Sequence, residues 1–418
     1  MTSYRYKWVN LAICFLPYFI MILHRVSTGV LALPIQEEFN IQYGIAGLLS
    51  SIYFLPYFIL QIPAGLAADK WSVRKLLPIS TSIIGIGGII FAMMPSVEIG
   101  MLARAIMGTG GAFVFLPGLK TIYQWFKRSE RGLAIGIYLI APGAGSFVAT
   151  GVLPFLLGLG WRYLYLVITI PVFIFAVLGS LLIRDSPDKV GLEPISVIEA
   201  RESGWSLPEQ KKTYEKPPSV SYILGRIARS KYTWPLVVGF WCLGGAYWSL
   251  NFWLPSWLVR ERAFATTLMG MFMMAFSIGR ILGSPLIGAF FDWGQRKGVG
   301  KKPVLLAGTV LSAILLYAMT LIATPENWLI LNTLSFVLGI LSAISNGAYL
   351  IITEMFPIQW AGASNSFTNM ANVFAGFVWP MVLGSVWDMT GTAYWALMLM
   401  VTCYIMSAIF IALAKEEG

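Results

Sequence analysis

Five ionisable side chains fall inside long apolar runs of the sequence: His24, Arg25, Arg104, Lys120 and Arg280. Taking such a group out of water costs several kcal/mol, so each marks a functional position by default if its run spans a membrane. Arg25 stands twelve residues before Glu37, and Arg280 twelve before Asp292. At the helical rise that is a depth of about 18 Å, the middle of a hydrocarbon core about 30 Å thick. All 19 Asp and Glu lie in loops, tails or at the ends of runs, so no protein carboxylate is available at that depth. A guanidinium presents a planar fork to carboxylate or phosphate, and the counter-ion expected between Arg25 and Arg280 is therefore the substrate.

The other polar groups admit two uses each. His24 is the one histidine; its imidazole titrates near neutral pH and is the candidate for a coupling proton, but it lies about 100° round the helix from Arg25 and serves equally as a packing histidine. Without an acidic or thiol neighbour it offers no metal ligand set. Arg104, six residues after Glu98, is expected to brace spans or to gate. Lys120 either contacts substrate or extends to the interface. Tyr247, Asn251, Asn346, Asn369 and Asn372 are candidates to orient a substrate, with Asn369 and Asn372 on one helix face; the alternative is hydrogen bonding between helices.

The elements that must carry these residues follow from composition. The 418 residues are 57% hydrophobic and 11% charged, against roughly 25% charged in soluble domains, and mean hydropathy is +0.74. A soluble enzyme, a disordered chain and a nucleic-acid-binding protein are excluded. Cys14, Cys242 and Cys403 sit far apart in apolar runs and read as small buried hydrophobes. The first run follows Arg5 and Lys7 as a signal peptide would, yet it is too long, holds Arg25, and lacks a cleavage site. It reads as the first of twelve spans, near 8–35, 44–68, 76–95, 98–122, 132–156, 163–183, 233–258, 265–291, 303–324, 327–353, 361–386 and 392–414. A barrel needs alternating segments of about ten residues; 76–95 and 303–325 are solidly apolar, so the expected class is an all-α membrane protein.

With the N-terminus in the cytoplasm, 22 of the 29 Lys and Arg fall on that side and 3 on the other, which places both termini inside by the positive-inside rule. The stretch Arg184 to Tyr232 is the one long polar segment. It divides the chain into an N-terminal six-helix half (1–183), a cytoplasmic linker (184–232) and a C-terminal six-helix half (233–418). The linker is mixed in charge; short surface helices or a regulatory partner are conceivable there.

The halves echo each other. Gly65 to Asp69 closes the second span and Gly288 to Asp292 the eighth, with the same step from Gly to Asp. Duplicated six-helix units around a midplane site are the architecture of alternating-access carriers, and Asp69, Asp292 and Arg74 are expected to hold one access state through charge contacts. On these residues, on Gly65 to Lys75, and on Arg104-Ala-Ile-Met-Gly108-Thr-Gly110-Gly111, the chain resembles the major facilitator superfamily over nearly its whole length. Ser72 stands where a second loop glycine is usual.

Within that superfamily it is most similar to the sugar-phosphate and glycerol-phosphate permeases and the organic-anion branch. Trp8 through His24-Arg25, Trp125 to Gly132, Arg184-Asp185-Ser186-Pro187 and Gly191-Leu192-Glu193-Pro194 carry the likeness. The resemblance implies that Arg25 is an anion-binding arginine and that Tyr18 and Tyr57 line the pocket. Tyr247 replaces a second arginine, Pro142 a histidine and Gln61 a lysine, which weighs against phosphate exchange. The reading is a secondary transporter, without cofactor or metal, for a small organic anion, foremost a carboxylate, with a proton or a counter-anion as coupling partner. The chain is expected as a monomer in the inner membrane. An organophosphate exchanger and a membrane ligand sensor are the alternatives; a cation exporter lacks its membrane carboxylate, and no catalytic constellation is present.

Overall fold

The computed structural model describes residues 4–202, 220–356 and 360–414, and it is helical throughout. In the first half α1 (Tyr6–Phe39), α2 (Tyr43–Ala68), α3 (Val73–Ala92), α4 (Val97–Trp125), α5 (Arg128–Leu159) and α6 (Trp161–Leu182) are long and apolar enough to cross a bilayer. The short helices α7 (Ile195–Glu202) and α8 (Val220–Arg229) follow. The second half is α9 (Thr233–Arg260), α10 (Thr266–Arg296), α11 (Lys301–Ile322), α12 (Pro325–Glu354), α13 (Gly362–Thr390) and α14 (Ala393–Leu413). Eleven of these meet the length and apolarity of a span among the described residues. The twelfth is α9, whose Trp, Tyr, Gly and Asn lower its hydropathy; 21 of its 28 residues are buried, so it faces protein more than lipid and has little need of a lipid-facing surface.

Several spans are broken, and most breaks have a covalent cause. Proline lacks the N–H that the carbonyl four residues earlier would accept. Accordingly α2 turns at Ile52–Tyr53 before Pro56, α4 at Phe113–Val114 before Pro117, and α5 at Leu139 before Pro142. In α12 the 3₁₀ turn Ala343–Ser345 has no proline. There the serines bond backward, Ser342 Oγ to the Gly339 carbonyl at 2.6 Å and Ser345 Oγ to that of Ser342 at 3.0 Å, a local competition that bends helices.

The segment after α6 ties the N-terminal half together at the end that carries the chain termini. The Asn10 side chain bonds the Arg184 backbone in both directions, at 3.0 and 3.2 Å, and Trp125 Nε1 donates to the Arg184 carbonyl at 2.9 Å. Asp185 caps α3: its carboxylate accepts from Ser72 Oγ at 2.6 Å and from the Arg74 N–H at 3.0 Å. Ser72 thus supplies a hydroxyl where the resemblance led one to expect glycine. Arg74 itself donates through Nε to the Ser180 carbonyl at 2.7 Å. The side chains of Asp69 and Asp292, the linker residues 203–219 and Lys415 lie outside the described residues.

Contacts between the halves run from the midplane to the opposite, far end. There α1 packs on α9, α2 on α13 and α5 on α10. At Gly47 the backbones approach so closely that a Cβ would stand 2.4 Å from the Pro380 carbonyl oxygen. The far end is closed. Because Asp185 holds two donors at the start of α3, Asp185→Ala is expected to destabilise the N-terminal half by about 1 kcal/mol, the usual worth of a cap. Thermal unfolding of the purified protein in detergent measures it; an unchanged midpoint would remove the capping role.

Candidate functional site

Arg25 lies midway along α1, 5% exposed. Four aromatic rings surround its guanidinium: Tyr57 at 4.6 Å, Tyr53 at 5.1 Å, Phe54 at 5.2 Å and, from the other half, Trp248 at 5.6 Å. Nη2 donates to the Met21 sulfur at 3.7 Å, and Nε has no hydrogen-bond partner. No carboxylate pairs with it among the described ion pairs. The cation is held by ring quadrupoles and keeps hydrogen-bonding capacity in reserve.

The room for this box comes from α4. A Cβ on Gly111 would fall 2.1 Å from the Tyr53 hydroxyl, so glycine there lets Tyr53 lie beneath Arg25. One turn and more away, Arg104 is wholly buried. Its Nη1 donates to the His24 carbonyl at 2.7 Å, and Nη2 to the carbonyls of Ser50 at 2.8 Å and Arg25 at 3.1 Å. The Ser50 carbonyl is free to accept because α2 breaks just beyond it. Arg104 therefore braces α1 against α2 through the backbone.

Arg280, mid-way along α10 and half-buried, is held differently. Nη1 donates to the carbonyl and hydroxyl of Ser342, each at 3.0 Å, where α12 is interrupted and its carbonyls face out of the ladder. The other side of the guanidinium lies 4.0 Å over the Tyr247 ring. Tyr247 and Trp248 are consecutive on α9, their rings 5.0 Å apart. Two neighbouring residues of the central helix thus carry the arginines of opposite halves.

Around them the sequence-predicted residues divide. Tyr18 packs on Phe115 and Tyr138, with ring centroids 5.3 and 5.0 Å apart. Asn372 accepts from Trp248 Nε1 at 3.2 Å, Asn369 from the Tyr349 hydroxyl at 2.8 Å, and Asn346 donates to Ser284 at 3.3 Å. Asn251 is fully buried and bonds the Tyr247 carbonyl at 2.9 Å. Lys120 stands apart: Nζ donates to the carbonyls of Ala68 at 2.6 Å and Trp71 at 3.4 Å, at the end of α2. His24 turns away from the box, Nδ1 on the Ile20 carbonyl at 3.0 Å and Nε2 on Thr169 at 3.1 Å, with its ring edge-on to Tyr165. Gln61, in place of a lysine, is half-buried on α2.

Sequence reasoning missed Tyr53, Phe54, Trp248, Ser342 and Tyr349. Aromatic residues are abundant here and read as packing, and nothing marks Ser342 until the break in α12 exposes its carbonyl. The adjacency of Trp248 to Tyr247 was the available signal.

Two six-helix halves closed at one end, each contributing a midplane arginine that forms no ion pair among the described residues, have the build of a membrane carrier. The chain belongs to the Major Facilitator Superfamily, whose family model matches residues 14–380; it is a transporter and not an enzyme. It is similar to a protein of Cupriavidus necator described as a probable sulfoacetate transporter, 26% identical over 91% of this chain and 87% of that one. It is also similar to the hexuronate transporter of Escherichia coli, 21% identical over 92% and 88%. Among solved structures, a bacterial homologue of the human lysosomal transporter Spinster, inward-facing and occupied, superposes with a TM-score of 0.74 at 16% identity, covering 99% of this chain and 97% of that one.

The bracing of three carbonyls by Arg104 yields a prediction that separates it from Arg25. Arg104→Gln should lower stability by about 2–4 kcal/mol, as loss of charge-assisted bonds with carbonyls left unpaired requires. The unfolding midpoint in detergent checks this, and anion affinity of the folded fraction should stay within a few-fold of the parent.

Proposed function

We propose that the chain carries a small organic anion, foremost a carboxylate, by alternating access, with Arg25 and Arg280 as its ligands. The observation that supports this is Arg25 itself, a buried guanidinium boxed by aromatic faces and given no protein anion. A charge so placed calls for a partner, and an incoming oxyanion can supply it. Tyr18, Tyr57 and Tyr247 line the approach, and Asn346 and Asn372 lie on the C-terminal side. The substrates named for the two relatives share a carboxylate, which supports the same class here; sulfoacetate carries a second anionic group that two arginines would match.

The remaining assignments belong to the same proposal. The chain divides at 184 and 232 into two halves and a linker, acts as a monomer in the inner membrane, and has both termini in the cytoplasm. With the far end closed, the conformation is then inward-facing. Asp69 and Asp292 are assigned to the cytoplasmic gate together with Arg74, and Lys120, seated on the α2 terminus, contributes there; the gating part considered for Arg104 gives way to its bracing of α1 against α2.

Coupling by a proton falls to His24. Its own carbonyl and that of Arg25 share the Arg104 guanidinium, so a second cation on the imidazole would repel Arg104 and bear on the backbone that positions Arg25. Anion exchange is the second reading, favoured by two cations facing one carboxylate, which leaves excess positive charge unless the return step also carries an anion.

Proteoliposomes test each part. Arg25→Gln and Arg280→Gln should each reduce uptake of a labelled carboxylate at least about a hundredfold, in line with removal of one partner of a desolvated pair, and Lys should rescue only partly. Normal transport by both Gln variants would end the two-arginine model. In vesicles without internal anion, an imposed inward proton gradient should drive accumulation under symport and none under exchange. Gradient-driven accumulation unchanged in His24→Gln would clear that residue.

A further inference from the structure

The far end carries a contact that neither the two arginines nor the cytoplasmic gate explains. The first helical segment of α2, Tyr43–Ser51, begins without a cap of its own: Gln42 makes no side-chain hydrogen bond to it. The first turn of a helix presents N–H groups that need acceptors. Here the acceptor comes from the other half. Asp388, near the end of α13, takes the Tyr43 N–H on Oδ1 at 2.8 Å and the Gly44 N–H on Oδ2 at 2.6 Å. Carboxylate charge at a helix N-terminus is favoured by the dipole as well as by the bonds.

The surrounding residues reinforce this cap. Tyr43 stacks in parallel on Trp387, 4.0 Å between centroids, and meets Trp253 edge-on at 5.8 Å. Trp253 Nε1 donates to the Pro380 carbonyl at 2.7 Å. Beside it, Arg260 of α9 pairs with Glu37 of α1 at 3.1 Å, both exposed, a contact of small worth in water. Glu261 differs: it accepts from the Ala393 N–H at 2.6 Å and from Thr392, within its own half.

We infer that Asp388 is the latch of the far gate, a carboxylate of the C-terminal half that caps a helix of the N-terminal half only while that end is closed. Opening the far end separates α2 from α13, leaves two N–H groups uncapped and frees the carboxylate to water. The latch therefore weights the equilibrium toward closure at the far side. This inference rests on the alternation of two halves and not on the identity of the anion.

Spin-label distances in the full chain test it. Labels at Met93→Cys and Glu326→Cys, exposed far-end positions on opposite halves and clear of the latch, are introduced with Cys14, Cys242 and Cys403 replaced by Ala, in lipid nanodiscs. Asp388→Ala should raise the ratio of long to short distances about tenfold, the order of a lost cap. Asp388→Asn, which keeps an acceptor oxygen without the charge, should shift it in the same direction by less. Glu261→Ala should leave the distribution unchanged. Unaltered distances in both Asp388 variants would overturn the latch, as would an equal shift in Glu261→Ala, which would mark general far-end electrostatics. Because no substrate is present, failure here is distinct from failure of the anion reading.

Discussion

A guanidinium that cannot be deprotonated has to be kept in the middle of a hydrophobic bundle, and the structure depends on how that is done. Each of the three midplane arginines solves it differently. Arg104 spends both Nη groups on backbone carbonyls of α1 and α2, becoming a structural cross-brace, and only its Nε is without a hydrogen-bond partner. Arg280 is half satisfied, bonded to Ser342 on one edge and lying over Tyr247. Arg25 receives aromatic faces and a sulfur. The order from satisfied to unsatisfied is also the order from bracing to the binding role proposed for Arg25.

Two of the acceptors that make this possible arise at interruptions of the helices, while the carbonyls of His24 and Arg25 accept from Arg104 within the continuous α1. In an unbroken helix every interior carbonyl already accepts one ladder bond. The break ahead of Pro56 frees Ser50 for Arg104, and the 3₁₀ turn in α12 frees Ser342 for Arg280. Irregular backbone at membrane depth is tolerable only where protein or a water-filled cavity satisfies it, and here arginine does so. At Ser50 and at Ser342 the helix break and the buried cation thus each supply what the other lacks.

That dependence bears on how much could be read from the sequence. The spans were legible because their apolar runs are long, although α1 extends beyond its apolar part at both ends, where Lys7 and Glu38 pair with Glu130 and Arg162 at the surfaces. Arg25 and Arg280 stood out because a charge deep in such a run is costly and no carboxylate shares that depth, although backbone carbonyls were the open alternative and one does hold Arg280. The separate employment of Arg104 was not legible, since its partners are backbone atoms whose availability depends on a break in another helix. Lys120 was open for the same reason: it lies within its run yet ends on the carbonyls of Ala68 and Trp71. Of the aromatic box only Tyr57 was marked, by the resemblance; the other three rings were hidden by abundance among 16 Trp, 18 Tyr and 26 Phe.

The choice of aromatic faces for Arg25 has a functional logic of its own. A protein carboxylate in that place would form a buried ion pair, and an incoming anion would have to displace it against several kcal/mol. Each ring offers a desolvated cation about 2 kcal/mol or more, which lowers the cost of the bare guanidinium while leaving its Nε without a hydrogen-bond partner. One of the four rings, Trp248, comes from the opposite half and is also bonded to Asn372. The environment of Arg25 is therefore complete only when the halves are close at the midplane, and a movement that withdraws Trp248 leaves the cation less stabilised by protein. On the proposed function, an anion bound at that moment would gain what the ring gave up, so the affinity of the site and the rocking of the halves would draw on the same few contacts.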